Sequence, residues 1–384
     1  MDPYFRPLSM AKSFIQHYLA TVIASLKNDH AENFDRRRFG EEKPIPRNLK
    51  TKLSHAMDLT AARFGWMREK RVQHLAGVGF DHKKGWVEGM TWLYDHLADE
   101  ASKDLLVQVL AYRALGHRHV KLPNNNPTHW ARVEMLEGMQ QGSPTTSTGP
   151  GGRSIHHYDL SPLGFPIKLF GGPVGLEALY QQQQYRYPLV KGAVEAEPGD
   201  VAIDAGGCWG DSALYFAHLV GPTGRVISFE FMPDNLAVFE QNLALNPDLA
   251  QRITVARNPV WSVSDTDLYI SGTGPGTNVS PEPRAPDAKA VKTLTIDDMV
   301  TRTGTARIDF IKMDIEGAEV HALEGARQTI QRYKPKIAIC VYHDLSDFWT
   351  VPQFIASLGL DYEFYFGHFT PHSEESVVFG KPRA

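Results

Sequence analysis

The chain has 384 residues and a formal net charge of −4, which is too long for one typical small domain, so we expect two. Hydrophobic residues make up 42% and charged residues 22%, the balance of a soluble globular protein. The basic run at residues 36–38 is too short to indicate a nucleic-acid partner, and no stretch approaches the roughly 18 apolar residues of a membrane span. Cys208 and Cys340 fall in predicted α/β core, so we expect no disulfide and a cytoplasmic location.

The first part of the chain has a helical pattern. Apolar residues recur at three- and four-residue spacing over residues 48–75 and 86–115, as on helices with one buried face. Residues 140–153 are dominated by Gly, Ser, Thr and Pro, which is typical of a linker or mobile loop. We therefore expect a helical N-terminal domain over residues 1–150. Its apolar faces need partners, so we expect it to form a substrate-facing cap or a homodimer surface.

From residue 151 to residue 384 the pattern is that of an α/β domain. Short β-like runs at 155–159 and 167–170, joined by a turn, predict a leading hairpin. Strands and helices then alternate, and two closing strands have no helix between them. This order predicts a mostly parallel, Rossmann-like sheet covered on both faces, with an antiparallel edge. The predicted strands are 201–205, 225–229, 253–256, 308–313, 336–342, 362–366 and 376–379, and the predicted helices are 212–220, 235–246, 319–333 and 352–358.

A glycine-rich loop, Asp204-Ala-Gly-Gly-Cys-Trp-Gly-Asp211, follows the first of these strands. Ligands of open parallel sheets bind beyond the carboxyl ends of the strands, where glycines let the backbone come close to them. Glu230 ends the next strand, and its carboxylate can accept both ribose hydroxyls of an adenosine. We therefore expect a cofactor that contains adenosine at this edge of the sheet.

Two classes of cofactor fit such an edge. A dinucleotide needs a Gly-x-Gly-x-x-Gly loop for its pyrophosphate, a spacing that this loop lacks. Asp204 and Asp211 would repel a pyrophosphate but suit a ligand that carries an ammonium and a sulfonium. The loop thus favours S-adenosylmethionine, with a nicotinamide-dependent dehydrogenase or a turn without any ligand as alternatives.

Three segments resemble the FkbM-type methyltransferases. They are residues 203–211, Ser228-Phe-Glu230 and, most specifically, Asp309-Phe-Ile-Lys-Met-Asp-Ile-Glu-Gly-Ala-Glu319. The resemblance covers about residues 155–384 and implies a class I methyltransferase fold with S-adenosylmethionine as cofactor. It also implies a small-molecule acceptor whose hydroxyl is methylated, on a sugar, a polyketide or another natural product. By position, it implies cofactor contacts for Asp204, Gly206, Gly207, Gly210, Glu230, Phe231 with Met232, Asn258, and Tyr185 from the Gln184-Tyr185 lead-in.

The candidates for catalysis follow the fourth and fifth strands. The sulfonium donor is already activated, so the protein mainly aligns the acceptor, whose hydroxyl must lose a proton. We predict His343 as the base, because the ordinary pKa of histidine suits proton transfer near neutrality, and Asp314 as a positioning residue. Acidic residues in a first helical turn favour the helix dipole, which is the plainer role for Glu316 and Glu319. Asp314, Glu316, His343 and Asp344 could converge on magnesium or manganese, but no ligand spacing demands an ion, so we predict no metal.

The sequence thus predicts an S-adenosylmethionine-dependent O-methyltransferase. The alternative is a non-catalytic binding or scaffold protein that retains the methyltransferase fold. The Gly- and Pro-rich residues 271–286 match no motif, and we expect them to cover the site.

Overall fold

The structure is a computed structural model that describes residues 13–42, 61, 69–77, 80, 83–146, 154–189, 192–271, 276, 278–283 and 289–383. The chain divides into two compact units. The smaller unit contains Met1–Asp95 and Lys103–Leu122, and the larger unit contains His96–Ser102 and Pro123–Ala384. Residues 123–146 therefore cluster with the larger unit. The domain boundary expected near residue 150 stays a prediction.

The smaller unit is helical where it is described. Its first helix buries Phe14, Tyr18 and Val22, which recur every four residues, and the Tyr18 hydroxyl donates to the carbonyl of Ala76 at 2.7 Å. Most of the helix predicted over 48–75 lies outside the described residues. Within the part of the chain that the structure describes, no helix combines the length and apolarity needed to span a membrane. The helices are α1 (Phe14–Ser25), α2 (Arg36–Phe39), α3 (Glu69–Gly77), α4 (Trp86–His96) and α5 (Glu100–Leu115), the last two with one end in the larger unit.

The larger unit opens with a helix and a small antiparallel sheet. The helix is α6 (Pro127–Gly138), and the sheet contains β1 (Gln141–Thr146), β2 (Ser154–Asp159) and β3 (Lys168–Gly171) in that order. Part of the segment expected to be a linker is therefore strand β1, and residues 147–153 lie outside the description. The connection to the main sheet contains α7 (Pro173–Leu176), β4 (Tyr187–Pro188) and β5 (Ala193–Val194).

The main sheet has seven strands and confirms the predicted α/β fold. Four strand pairs in its middle are parallel, and the last two strands of the chain run antiparallel. The strand order is β14-β15-β13-β12-β6-β7-β8. These strands are β6 (Val201–Ala205), β7 (Arg225–Phe229), β8 (Ile253–Ala256), β12 (Phe310–Met313), β13 (Lys336–Cys340), β14 (Tyr362–His368) and β15 (Ser376–Pro382). The helices between them are α8 (Asp211–Leu219), α9 (Pro233–Ala244), α10 (Pro247–Ala250), α11 (Ile296–Thr303), α12 (Glu319–Glu324), α13 (Arg327–Tyr333) and α14 (Asp347–Ser357).

Three local features differ from the sequence prediction. The single helix predicted over 319–333 is instead two helices that meet near Gly325. The backbone passes so close to Trp261 at this turn that a Cβ at Gly325 would lie 2.1 Å from the carbonyl oxygen of Trp261. The helix expected to start at Pro352 starts five residues earlier and contains that proline. The sequence shows no clear periodicity for helix α11 or for the three strands of a second small sheet. These strands are β9 (Asp267–Ser271), β10 (Asn278–Ser280) and β11 (Ala290–Lys292), and their order in the sheet is β10-β9-β11.

A buried ion pair joins the two central strands β6 and β12. The Nζ atom of Lys312 lies 3.0 Å from Oδ1 of Asp204, and the exposed fractions of the two side chains are 2% and 0%. Lys312 also donates to the carbonyl of Gly206 at 2.6 Å, and Asp204 accepts hydrogen bonds from the hydroxyls of Ser212 and Ser228. Since each charge has several polar partners, these contacts can offset the large desolvation penalty of burying the pair.

We expect Lys312→Met to lower the free energy of unfolding by about 3 kcal/mol or more, because it leaves the carboxylate of Asp204 buried without its cation. Urea unfolding followed by circular dichroism measures the change. Arg257→Ala is the control, since Arg257 pairs with Glu240 on the surface and exposed pairs contribute little. Equal stabilities of the Lys312→Met variant and the parent chain would contradict the assigned role of the pair.

Candidate active site

A cleft opens at the carboxyl ends of β6, β7 and β12. Gly206 and Cys208 of the glycine loop line it, together with residues that follow the two neighbouring strands. This is the edge at which the sequence predicted a ligand. Of the predicted site residues, Gly206, Glu230, Phe231, Asn258 and Asp314 line the cleft together.

The glycine loop is held tightly against its neighbours. The N–H groups of Gly206 and Gly207 both donate to the carbonyl of Phe229, at 3.1 and 2.8 Å. Gly206 has a φ of +90°, and a Cβ there would lie 1.9 Å from the carbonyl oxygen of Asp314, so no other residue fits this turn. Gly207 and Gly210 pack against the ring of Phe239, and they support the loop without lining the cleft.

Asp204 lies beneath the loop and does not line the cleft. Its carboxylate is fully buried and is occupied by Lys312, Ser212 and Ser228. Burial opposes the charge of Lys312, but the carboxylates of Asp204 and Asp314 outweigh it and raise the pKa of the ammonium. Asp204 therefore supports the loop from beneath, and its contact with the cofactor stays a prediction.

Glu230 is fixed at the opposite side of the cleft. Its Oε1 atom accepts the N–H groups of Phe231 and Met232, both at 2.7 Å, and its Oε2 atom accepts the side-chain amide of Asn235 at 3.2 Å. Burial raises the pKa of Glu230, and these hydrogen bonds oppose the rise. The carboxylate is thus oriented before any ligand arrives. Asn258 is anchored nearby, since its amide donates to the carbonyl of Lys292 at 2.8 Å.

His343 lies among three carboxylates. Its Nδ1 atom is 3.0 Å from Oε1 of Glu319, and its Nε2 atom is 3.3 Å from Oδ1 of Asp314 and 3.7 Å from Oε2 of Glu316. Burial would lower the pKa of His343, but the carboxylates outweigh it and raise the pKa to about 11. The carboxylates thus favour the charged form of the ring, which opposes the role of a base, and the assignment of His343 as the base stays a prediction. The sequence argument used the ordinary pKa of histidine because it could not show the carboxylates around the ring.

Asp314 is the side chain that connects this cluster to the cleft. Its two oxygens accept hydrogen bonds from the hydroxyls of Tyr342 and Tyr185, at 3.2 and 3.3 Å. Burial would raise the pKa of Asp314, but His343 and Lys312 hold it below its ordinary value. Tyr185, predicted as a cofactor contact, therefore lies behind Asp314 and does not line the cleft.

Two acidic residues at this edge have environments that the sequence did not reveal. Glu375 lies near Asp314, because the hydroxyl of Tyr342 contacts both side chains and is 3.3 Å from Oε1 of Glu375. Glu375 also accepts a hydrogen bond from the side-chain amide of Gln184. Burial and the charge of Asp314 raise its pKa. Glu316 lines the cleft with 33% of its side chain exposed, and burial of the remainder raises its pKa to about 7. No sequence motif indicated Glu375, since it is distant in the chain from the glycine loop.

Of the two remaining acidic candidates, Glu319 and Asp344, only Glu319 joins the cluster. Glu319 accepts the N–H of Ile315 at 3.0 Å, so it satisfies the backbone ahead of α12, and it also approaches His343. Asp344 accepts hydrogen bonds from the N–H and hydroxyl of Ser346.

Comparison with known proteins identifies the domain around this cleft. Residues 196–368, under half of the chain, match the family model described as the methyltransferase FkbM domain. No curated protein matches the chain. The matched range contains every predicted site residue except Tyr185.

Solved structures of other methyltransferases are similar to the chain at low sequence identity. The methyltransferase FkbM of Methylobacillus flagellatus is 20% identical over 91% of this chain and 72% of its own, with a TM-score of 0.49. Aeropyrum pernix fibrillarin, solved with natively bound S-adenosylmethionine, is 12% identical over 62% and 87%, with a TM-score of 0.35. An S-adenosylmethionine-dependent O-methyltransferase from Thermotoga maritima is 14% identical over 49% and 62%, with a TM-score of 0.31.

The family match confirms the resemblance read from the glycine loop and the segment 309–319. Residues 196–368 of this chain form an S-adenosylmethionine-dependent methyltransferase domain of the FkbM family.

Proposed function

We propose that the protein transfers a methyl group from S-adenosylmethionine to a hydroxyl of a small-molecule acceptor. The observation that carries this proposal is one cleft of the FkbM domain with two different sides. Glu230 lies at one side, oriented for the hydroxyls of a ribose, and the carboxylates of Asp314 and Glu316 lie at the other. The acceptor class follows from the family resemblance, which implies a sugar, a polyketide or another natural product.

The donor is held by groups that recognise adenosine and a cation. Glu230 accepts the ribose hydroxyls, Phe231 contacts the adenine ring, and Asn258 lies at the adenine edge. Gly206 lets the backbone approach the methionine part of the cofactor. The acidic wall formed by Asp314 and Glu316 favours the ammonium and sulfonium charges of this donor over the phosphates of a dinucleotide.

The reaction needs one bond formed, one bond broken and one proton removed. The acceptor oxygen attacks the methyl carbon in line with the sulfur, and the electron pair of the broken C–S bond stays on sulfur, which leaves S-adenosylhomocysteine. The hydroxyl proton passes to Glu316, the partly exposed carboxylate of the cleft wall. Asp314, held between two tyrosine hydroxyls, positions the acceptor.

A labelled-methyl screen against sugars, polyketides and hydroxylated lipids tests the function. Transfer to a hydroxyl of one of these classes is the expected result. Binding of S-adenosylmethionine without transfer to any of them would instead favour the non-catalytic alternative. A homodimer through the N-terminal helices and a cytoplasmic location stay predictions.

We expect Glu230→Ala to weaken the binding of S-adenosylmethionine by about tenfold to a hundredfold, because the ribose hydroxyls lose a charged acceptor. Isothermal titration calorimetry measures the affinity. Glu240→Ala removes an exposed carboxylate further along α9 and should leave the affinity unchanged. If both variants bind the donor as the parent chain does, Glu230 does not hold the ribose.

We expect Glu316→Gln to slow methyl transfer by about a hundredfold or more while donor affinity is retained, since the amide cannot accept the hydroxyl proton. Single-turnover rates with labelled donor measure the effect. Glu324→Gln, which removes an exposed carboxylate from α12, is the control. A rate in Glu316→Gln close to that of the control would remove Glu316 from the mechanism.

A further inference from the structure

We infer that Glu375 holds a proton in the folded protein and, through the hydroxyl of Tyr342, positions Asp314 at the cleft. Asp314 lines the cleft, whereas Glu375 does not. Glu375 lies in the connection between β14 and β15, at the edge of the sheet where the cleft opens. The inference rests on the proposed methyl transfer, in which Asp314 positions the acceptor, and it adds a residue that the sequence did not indicate.

The hydroxyl of Tyr342 lies between two carboxyl groups. Its oxygen is 3.2 Å from Oδ1 of Asp314 and 3.3 Å from Oε1 of Glu375. A tyrosine hydroxyl has a single hydrogen, so it can donate fully to only one of these two oxygens. If Glu375 carries a proton on Oε1, both contacts are hydrogen bonds, because the acid donates to the tyrosine oxygen and the tyrosine donates to Asp314.

The surrounding charges decide which of the two carboxyl groups is protonated. One oxygen of Asp314 and one oxygen of Glu375 lie within 4.8 Å of each other, and like charges at that distance disfavour each other. Asp314 has the cationic partners, since Nε2 of His343 is 3.3 Å away and the charge of Lys312 also lowers the pKa of Asp314. Burial and the charge of Asp314 raise the pKa of Glu375, so the proton belongs on Glu375.

The other ionisable groups around Glu375 are compatible with its neutral form. Cys340 of β13 has its sulfur within 4.8 Å of the same carboxyl group, and burial raises the pKa of this thiol, which keeps it neutral. Burial likewise raises the pKa of the hydroxyls of Tyr185 and Tyr342. The charged ring of His343 opposes the protonation of Glu375, but its nitrogens contact other carboxylates.

The backbone holds the carboxyl group of Glu375 in this place. Its φ is +60°, in the left-handed region that residues with a Cβ rarely adopt. Its carbonyl accepts the N–H of Phe369 at 3.0 Å, and its Oε2 atom accepts the side-chain amide of Gln184. Such a conformation persists only where the surrounding contacts determine it, and here they leave Oε1 beside the hydroxyl of Tyr342.

A protonated Glu375 gives Asp314 a fixed orientation. The hydrogen of Tyr342 then goes to Oδ1 of Asp314, while the hydroxyl of Tyr185 donates to Oδ2 at 3.3 Å. An ionised Glu375 would compete with Asp314 for the hydrogen of Tyr342. Methyl transfer should therefore fall as the pH rises through the raised pKa of Glu375, because the proton that orders these groups is lost.

Carbon-13 NMR of the full-length chain with labelled glutamate carboxyls tests the inference. The signal of Glu375 is identified by its loss in Glu375→Gln and in Glu375→Ala, and we expect it to report a protonated carboxyl at pH 7. In Asp314→Asn it should titrate at a lower pH, since the neighbouring charge is removed. Glu363→Gln is the matched control and should keep the signal, because Glu363 accepts the hydroxyl of Tyr365 near the amino end of β14.

An ionised Glu375 at pH 7 would overturn the inference, and so would a titration that Asp314→Asn leaves unchanged. Circular dichroism verifies the fold of each variant. The titration needs neither donor nor acceptor, so a failure of the inference and a failure of methyl transfer are separate results.

A second measurement follows methyl transfer to an acceptor found in the labelled-methyl screen. Glu375→Ala should lower kcat by about tenfold with donor affinity retained, because Tyr342 loses its hydrogen-bond donor. Glu375→Gln should recover most of this loss, since its amide donates to Tyr342 as the protonated acid does, and its rate should persist to higher pH than that of the parent chain. Equal rates of the two variants, or the same fall with pH in Glu375→Gln and the parent chain, would contradict the positioning role.

Discussion

The buried ion pair between Lys312 and Asp204 is the interaction on which the cleft depends. It joins β12 to β6, the two strands whose ends carry the glycine loop and the acidic segment. The ammonium also binds the carbonyls of Ala205 and Gly206, so the loop leaves the strand in one direction. Two charges removed from water need such complete pairing, and the register of β12 and β6 places Lys312 beside Asp204 to provide it.

Negative charge dominates the side of this cleft that follows β12. Asp314, Glu316 and Glu319 approach one imidazole, and Glu375 lies behind Tyr342. Such a concentration of carboxylates suits a cationic donor. It also favours the charged form of His343, since the same carboxylates that attract a cation stabilise the charged ring.

The sequence was sufficient for the features that depend on neighbouring residues or on periodicity. Alternation of strand and helix predicted the main sheet, and the glycine loop with Glu230 predicted the edge where the cleft lies. The small strands β9 to β11 and helix α11 escaped prediction, because short elements have little periodicity and depend on their packing.

The state of each side chain was decided by the tertiary structure. Asp204 and Glu230 both lie at strand ends, yet one is buried beneath the loop and the other lines the cleft. The protonation of His343 depends on carboxylates 24 to 29 residues earlier in the chain, and Tyr185 meets Asp314 across 129 residues. The sequence by itself determined the fold and the edge of the sheet where the cleft lies, since both follow from local patterns. Which groups carry charge, and which face the cleft, was decided by contacts that only the folded chain creates.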